Sequence, residues 1–189
     1  KISKSKYKRN QRILRLINSY IVILILCNCG EYNDEKEYRK ENEYDIKANL
    51  PKGFITNKDL GIASSILDTK KNKLTNKTIL LSGYIGGRRE PFTKGRSSFI
   101  VIDNSIKKCD EKKGDNCPTP WDACCVDRRT ILQSTLTVQV TDKNSSLLKG
   151  TLNGVDGLLP GKKIKVLATI DSMSNPNSML VNAKQIQLL

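Results

Sequence analysis

The sequence predicts an all-β domain, a five-stranded barrel, that follows an export segment. Four segments within residues 77–189 show the period-2 alternation of apolar and polar residues that is typical of half-buried strands, and a fifth segment is apolar on both faces. A change in composition near residue 51 separates this part from a polar stretch before it. A chain of 189 residues has room for one domain with its attachments.

The first two predicted strands follow a leading segment, residues 51–76, in which residues 62–68 form a short helix or an entry turn. Residues 78–85 alternate, with their apolar side chains on one face, and a glycine pair ends this strand. Residues 97–103 are apolar on both faces near their centre, as expected of a strand inside a closed or covered sheet.

Three more strands complete the predicted domain. Residues 135–141 and residues 163–170 each alternate along their whole length. The last strand, residues 179–189, changes phase near Gln185, so that its final apolar side chains again point inward. A short helical connection is predicted at residues 145–152, between the third and fourth strands.

The resulting order, β-β-β-α-β-β, is that of an OB-fold, a small Greek-key barrel. Strand order alone does not establish closure, so a small antiparallel sandwich is the alternative. Both alternatives bury the same alternating faces. The sequence therefore predicts an OB-like barrel over residues 77–189, with a cysteine-rich insertion at residues 104–130 between strands two and three.

The N-terminus has the layout of a secretory signal, a basic region followed by an apolar run. This run is too short for a hydrocarbon core of about 30 Å, which needs roughly 20 apolar residues. The sequence Leu-Cys-Asn-Cys at residues 26–29 resembles a bacterial lipobox. The resemblance implies removal of residues 1–28, acylation of Cys29 and a lipid anchor to the membrane in the bacterial cell envelope, facing the periplasm or the outside. An uncleaved anchor and an ordinary signal peptide are the alternatives.

Residues 29–50 are almost wholly polar and carry opposite charges side by side. Such a segment buries too little apolar surface to offset the entropy of ordering it. We therefore predict a polar tether between the membrane and the barrel.

The composition excludes several classes of catalytic and metal site. The chain carries 33 basic and 19 acidic residues, a formal net charge of +14, and no histidine. Seven of the basic residues and none of the acidic ones lie within residues 1–29, so half of the excess belongs to the export signal. The absence of histidine excludes the usual serine and cysteine triads, zincin helices and Cys₂His₂ fingers. It favours a non-enzymatic role, and no cofactor is predicted.

Three stretches of the β domain carry a family resemblance. They read GYIGG at residues 83–87, PFTKGR at residues 91–96 and CPTPWDACC at residues 117–125. In these motifs the chain resembles a family of uncharacterised exported proteins of planctomycetes and related bacteria, over about residues 62–189. The resemblance implies an exported OB-like domain and supplies no activity.

The insertion holds four cysteines with the spacing C-x₇-C-x₆-C-C: Cys109, Cys117, Cys124 and Cys125. Exported thiols meet an oxidising compartment, so we expect disulfides among these four. We expect Cys124 and Cys125 to bond to Cys109 and Cys117 rather than to each other, because a vicinal bridge closes a strained ring. The connectivity stays open. A four-cysteine metal site and a redox-active vicinal pair are the alternatives.

The candidate ligand-binding residues combine positive charge, in the loop between the first two strands, with aromatic rings of the β domain. They are Tyr84, Arg88, Arg89, Arg96, Phe99 and Trp121. The basic loop would suit an anionic ligand. Trp121 is either a platform for that ligand or a lid that packs the insertion onto the mouth of the barrel.

Two classes of function follow. In the first, the barrel is a binding or scaffolding module for an envelope protein or an anionic ligand. In the second, the cysteine loop is the active element of a redox or metal-binding protein. A nucleic-acid-binding OB domain is the third alternative, but few aromatic rings are available for stacking, and an exported lipoprotein seldom meets nucleic acid.

Overall fold

The computed structural model describes most of the chain after residue 45. The described residues are 46–72, 77–109, 114, 117–175 and 177–189. The predicted signal peptide, Cys29 and most of the predicted tether lie outside them. Within the described part, no helix is both long enough and apolar enough to cross a membrane.

The described residues form seven β-strands, two α-helices and one 3₁₀ turn. In chain order these are β1 (Ile55–Thr56), β2 (Ser64–Ser65), α1 (Ile66–Lys71), β3 (Thr78–Ile85), β4 (Ser98–Ile102), α2 (Arg128–Ser134), β5 (Thr135–Gln139), the 3₁₀ turn (Val155–Gly157), β6 (Lys163–Ile170) and β7 (Leu180–Leu188).

The five long strands close into a barrel. β3 pairs antiparallel with β4 and with β6, β4 pairs antiparallel with β5, and β6 pairs antiparallel with β7. β5 and β7 pair in parallel, which completes the circle. This closure confirms the OB-like barrel and rules out the sandwich, since a sandwich keeps two separate sheets. β1 and β2 add short parallel pairings to β7 and β3.

The barrel interior is filled by apolar side chains. Each long strand contributes at least one that is fully buried, among them Leu81, Phe99, Val138, Val166 and Ile186. Leu81, Val138, Val166 and Ile186 occupy inward positions of the predicted alternation, because successive residues of a strand point to opposite faces, whereas no inward face was predicted for the strand of Phe99. Full burial of one such side chain stabilises the fold by about 1.5–3 kcal/mol. A ligand site on this barrel must therefore lie at its rim or on its outer face.

β7 contains the predicted change of phase. Ala183 and Gln185 pair with consecutive residues of β6, so Lys184 is an extra residue in β7. A bulge of this kind shifts the alternation by one position. Ile186 is therefore fully buried although it lies three residues beyond the inward-facing Ala183.

Gly83 of β3 lies in close contact with β4. A Cβ atom at this position would lie 2.5 Å from the carbonyl oxygen of Ile102 and 2.6 Å from Cγ1 of Val101. A glycine inside a strand often marks such a close approach. Any larger residue here would push the two strands apart.

The α-helix predicted at residues 145–152 is wrong. This segment leaves a turn and then forms isolated β-bridges at Leu147, Lys149 and Thr151, and the helical element of the connection is the later 3₁₀ turn, Val155–Gly157. The carboxylate of Asp142 accepts hydrogen bonds from the backbone N–H groups of Asn144 (2.8 Å) and Ser146 (2.9 Å). Aspartate that bonds to nearby backbone in this way favours a turn over a helix.

The two α-helices also differ from the prediction. The helix expected at residues 62–68 begins later, at Ile66, because the Ser65 hydroxyl caps it by accepting a hydrogen bond from the N–H of Asp68 at 3.0 Å. Helix α2 closes the insertion and was not predicted from the sequence. It begins after Asp127, whose carboxylate accepts a hydrogen bond from the N–H of Thr130 at 2.9 Å.

The end of the predicted tether, residues 46–50, is packed on the barrel. The N–H of Ala48 donates to the carbonyl of Thr151 at 3.0 Å, and the N–H of Thr151 donates to the carbonyl of Ile46 at 2.8 Å. Ala48 is buried, and a Cβ atom on Gly150 would meet its backbone at 2.8 Å. Residues 46–50, which the sequence assigns to the tether, therefore pack on the barrel in the structure.

Candidate functional site

The insertion packs against the barrel through its own small core. Tyr84 and Ile102, on the outer face of β3 and β4, bury together with Ala123 of the insertion. The Tyr84 hydroxyl donates to the carbonyl of Ile106 at 3.3 Å. This core fixes the cysteine-rich segment on the side of the barrel.

Trp121 fastens the insertion to the loop between β3 and β4. Its carbonyl accepts the N–H of Gly87 at 3.0 Å, and its indole N–H donates to the carbonyl of Arg89 at 2.9 Å. A Cβ atom on Gly86 would lie only 2.4 Å from that same Trp121 carbonyl oxygen. The tryptophan backbone therefore lies directly on a glycine that leaves room for it.

A cavity of about 340 Å³ opens beside Trp121, and we call it the basic cleft. The residues that give it chemical character are Lys47, Arg89, Glu90, Phe92, Lys94 and Trp121. The lining therefore includes three cationic side chains, one carboxylate and two aromatic rings. The volume lies at the small end of the roughly 300–1,000 Å³ that is usual for ligand pockets.

Several contacts hold the walls of the basic cleft in place. The ammonium group of Lys47 donates to the carbonyl of Asn153, another wall residue, at 2.6 Å. The Phe92 ring packs against the buried Phe99 ring, with centroids 5.5 Å apart and planes tilted by 40°. The cleft therefore rests on the barrel core on one side and on the insertion on the other.

The structure brings only part of the predicted ligand set to the cleft. Arg89 and Trp121 line it, whereas Arg88 and Arg96 are exposed elsewhere on the surface. Tyr84 and Phe99 were also predicted to bind the ligand. In the structure they are 1% and 0% exposed, so neither presents a ring face to a ligand. Phe99 points into the barrel, and the insertion covers Tyr84.

Lys47 and Phe92 also line the cleft, and the sequence reasoning did not choose them. Lys47 lies in a polar stretch and reaches the cleft by pairing with Thr151, which is more than one hundred positions away in the sequence. No local sequence pattern predicts a contact over that separation. Phe92 lies in the PFTKGR motif beside the basic loop. Its position in the sequence between Arg89 and Lys94 indicates that Phe92 could line the same site.

The second candidate is a cluster of thiols in the insertion. The Sγ atoms of Cys109 and Cys124 lie 3.5 Å apart, and the Sγ atom of Cys117 lies within 4.8 Å of both. The Sγ atom of Cys125 is 3.9 Å from that of Cys124. The separations of 3.5 Å and 3.9 Å both exceed the S–S bond length of about 2.05 Å. The predicted disulfides therefore stay a prediction.

The protonation of these thiols bears on the redox alternative. Burial raises the pKa of the Cys109 thiol. Hydrogen bonds with the Cys109 and Cys125 thiols raise the pKa of Cys124 to about 12. A nucleophilic cysteine requires a lowered pKa. The raised pKa values of Cys109 and Cys124 therefore do not favour a reactive vicinal pair.

Comparison with known proteins adds little. No protein-family model matches the chain, and no curated protein matches it. Among solved structures, the hypothetical protein ygiW from E. coli is 16% identical, with a TM-score of 0.36 over 69% of this chain and 94% of that one. A putative aspartyl-tRNA synthetase from Leishmania major Friedlin is 12% identical, with a TM-score of 0.37 over 82% of this chain and 26% of that one. Similarities this weak support no statement about function.

Proposed function

We propose that the protein is a lipid-anchored binding protein of the bacterial cell envelope, and that its OB-like barrel binds an acidic glycan in the basic cleft. The cleft itself carries the proposal. Arg89, Lys94 and Lys47 oppose a single carboxylate, that of Glu90, so the cleft has an excess of two positive charges. Such an excess attracts an anion, and an arginine can hold a carboxylate or sulfate through two parallel hydrogen bonds.

The aromatic rings of the cleft favour a sugar as the carrier of that anion. Trp121 and Phe92 offer apolar surface beside the cations. A sugar ring combines an apolar C–H face with polar hydroxyl groups, so it can pack on such rings while its acidic group meets the guanidinium. A concave site of this size also suits a small ligand better than the broad, flatter surface of a protein partner.

The location of the cleft agrees with the way in which OB barrels bind. In these barrels the loop between the first two strands is one of the usual binding elements for oligosaccharides and oligonucleotides. Here that loop joins β3 to β4 and supplies Arg89, Glu90, Phe92 and Lys94 to the cleft. Nucleic acid is the less suitable ligand, because two of the aromatic rings that stacking would need are buried.

A charge-matched pair of variants tests the cleft. We expect the full-length protein to bind a tetramer of galacturonate in isothermal titration calorimetry. The double variant Arg89→Gln/Lys94→Gln should weaken this binding by about tenfold or more, since it removes two charge-assisted contacts. The control variant Arg88→Gln/Arg96→Gln removes the same charge from the same loop, outside the cleft, and should bind within about twofold of the wild type.

Two results would contradict the proposal. Equal loss of affinity in both double variants would mean that diffuse surface charge attracts the tetramer, without a site. Absence of binding by the wild type at about 150 mM salt would reject an acidic glycan as the ligand class, because weak unspecific attraction is screened at that ionic strength.

The lipid anchor is tested separately. In the wild type we expect the mature N-terminus to be an acylated Cys29, identified by its mass, and the protein to fractionate with membranes. The variant Cys29→Ala should appear in the soluble fraction. Membrane association that persists in this variant, or a mature chain that retains residues 1–28, would reject the lipoprotein model.

A further inference from the structure

The three sulfur atoms of the thiol cluster have the spacing of metal ligands. Two Sγ atoms at 2.3 Å from a zinc ion with tetrahedral angles lie about 3.8 Å apart. Those of Cys109 and Cys124 are 3.5 Å apart, and all three Sγ atoms lie within 4.8 Å of one another. Shifts of about 1 Å or less would bring the trio onto one cation.

The backbone fixes this spacing, because both arms of the insertion are bonded to each other next to the sulfurs. The N–H of Cys109 donates to the carbonyls of Pro120 (3.1 Å) and Asp122 (3.2 Å). The turn that carries Cys124 is closed by a 3.0 Å bond from the N–H of Val126 to the carbonyl of Ala123, and Ala123 is buried. The cluster therefore lies on an ordered frame.

The donor atoms point to a soft cation. Among the described residues, this trio is the group of cysteine, aspartate or glutamate side chains that converges closely enough to hold a metal ion. The nearby Asp122 carboxylate already accepts the N–H of Ala123 at 2.7 Å. Thiolates without oxygen ligands favour zinc over magnesium, calcium or manganese.

We propose that Cys109, Cys117 and Cys124 bind one Zn²⁺ ion as three thiolates, with a fourth position open to solvent. Cys109 is buried at the base of the cluster, Cys117 is half-buried and Cys124 is exposed, so the ion reaches the site from the side of Cys124. Binding converts three thiols and Zn²⁺ into one zinc tris-thiolate of charge −1 and releases three protons. No oxidant or reductant takes part.

Cys125 lies outside the trio and provides a matched control. Its Sγ atom lies 3.9 Å from that of Cys124, and its side chain is exposed. Among the described residues, it does not belong to the group whose Sγ atoms all lie within 4.8 Å of one another. Two structural disulfides would need Cys125 as much as Cys124. The zinc site needs Cys124 and does not need Cys125.

The test uses the full chain, reduced, stripped of metal with a chelator and titrated with Zn²⁺ against a coloured competing chelator. We expect about one Zn²⁺ per chain. Co²⁺ should give a thiolate-to-cobalt charge-transfer band and intense visible bands of tetrahedral coordination. Loss of a hydrogen-bond partner of a metal ligand weakens metal binding by roughly 10- to 100-fold. Cys124→Ser and Cys117→Ser each remove a ligand itself, so each should weaken zinc binding by more than this. Cys125→Ser should bind zinc as the wild type does.

Other results would overturn the site. These are less than about 0.1 Zn²⁺ per chain in the wild type, equal loss in Cys125→Ser and Cys124→Ser, or a metal-free protein from the envelope with a Cys109–Cys124 disulfide in peptide mapping. Circular dichroism of the metal-free variants separates loss of a ligand from loss of the fold, and both Cys117 and Cys124 are accessible enough to replace. Since Arg89→Gln/Lys94→Gln leaves the thiols intact, it should retain zinc, so failure of the basic cleft and failure of this site are distinguishable.

Discussion

Replacing Gly86 with alanine should detach the insertion from the barrel. The added Cβ atom would lie 2.4 Å from the carbonyl oxygen of Trp121 and 2.8 Å from Cε2 of Tyr84. Carbon atoms normally approach such neighbours to about 3.5 Å, so the tryptophan backbone must move by about 1 Å. Its 3.0 Å hydrogen bond with the N–H of Gly87 does not survive a shift of that size.

The expected cost of Gly86→Ala has two parts. Overpacking typically costs about 1–3 kcal/mol, and the lost hydrogen bond adds about 0.5–1.5 kcal/mol. We therefore expect the free energy of unfolding to fall by about 1.5–4.5 kcal/mol, from the same two sources. If the insertion opens while the barrel stays closed, the decrease in the free energy of global unfolding will lie at the lower end of this range.

Trp121 reports this change directly, because it is the only tryptophan in the chain. In the Gly86→Ala variant its emission should shift to longer wavelength under native conditions, and protease should cut within residues 104–130 before it cuts the barrel. Arg88→Ala is the control, since it lies in the same loop with an exposed side chain. A Gly86→Ala protein with the emission spectrum and urea midpoint of the wild type would refute the packing of Trp121 on this glycine.

Two further predictions concern the core and pH. Phe99→Ala should lower the free energy of unfolding by about 3–5 kcal/mol in urea denaturation, because it empties a fully buried site; a loss below about 1 kcal/mol would contradict the interior position of this ring. Burial lowers the pKa of Lys70 from 10.5 to about 8. Between these two pH values the unfolded chain binds more protons than the folded chain, so the free energy of unfolding rises with pH. The wild type should therefore gain stability relative to Lys70→Met from about pH 7 to pH 10 in urea denaturation, and a constant difference would contradict the lowered pKa.

The strands were predictable because the information that specifies them is local. Alternation along residues 163–170 alone places Ile164 and Val166 inside, and the structure has a strand with these same bounds, Lys163–Ile170. The bulge in β7 was also visible, since a change of phase is a local pattern. The strand order suggested a barrel but left a sandwich open, because closure depends on the parallel pairing of β5 with β7, which lie more than forty positions apart.

The basic cleft and the thiol cluster were predictable only in part. Sequence spacing identified Arg89 and Trp121, but it also suggested Phe99, whose inward direction follows from the pleat of β4. Lys47 reaches the cleft through a backbone pairing with Thr151 that no motif encodes. For the cysteines, spacing gave the group of four, while the frame around Cys109 decides which three sulfur atoms converge.

One short segment serves both candidate sites. Trp121 forms a wall of the basic cleft. The carbonyl groups of its neighbours Pro120 and Asp122 accept a bifurcated hydrogen bond from the N–H of Cys109. A zinc ion on the thiols would hold Cys109 and Cys124 together and so would restrict the segment that carries Trp121. By linkage, a ligand that needs Trp121 in place would then bind the zinc-loaded protein more tightly, and zinc would bind the ligand-loaded protein more tightly by the same factor. The Gly86→Ala variant breaks the other fastening of the same segment, so it should weaken this coupling while leaving every cation of the cleft and every thiol in the chain.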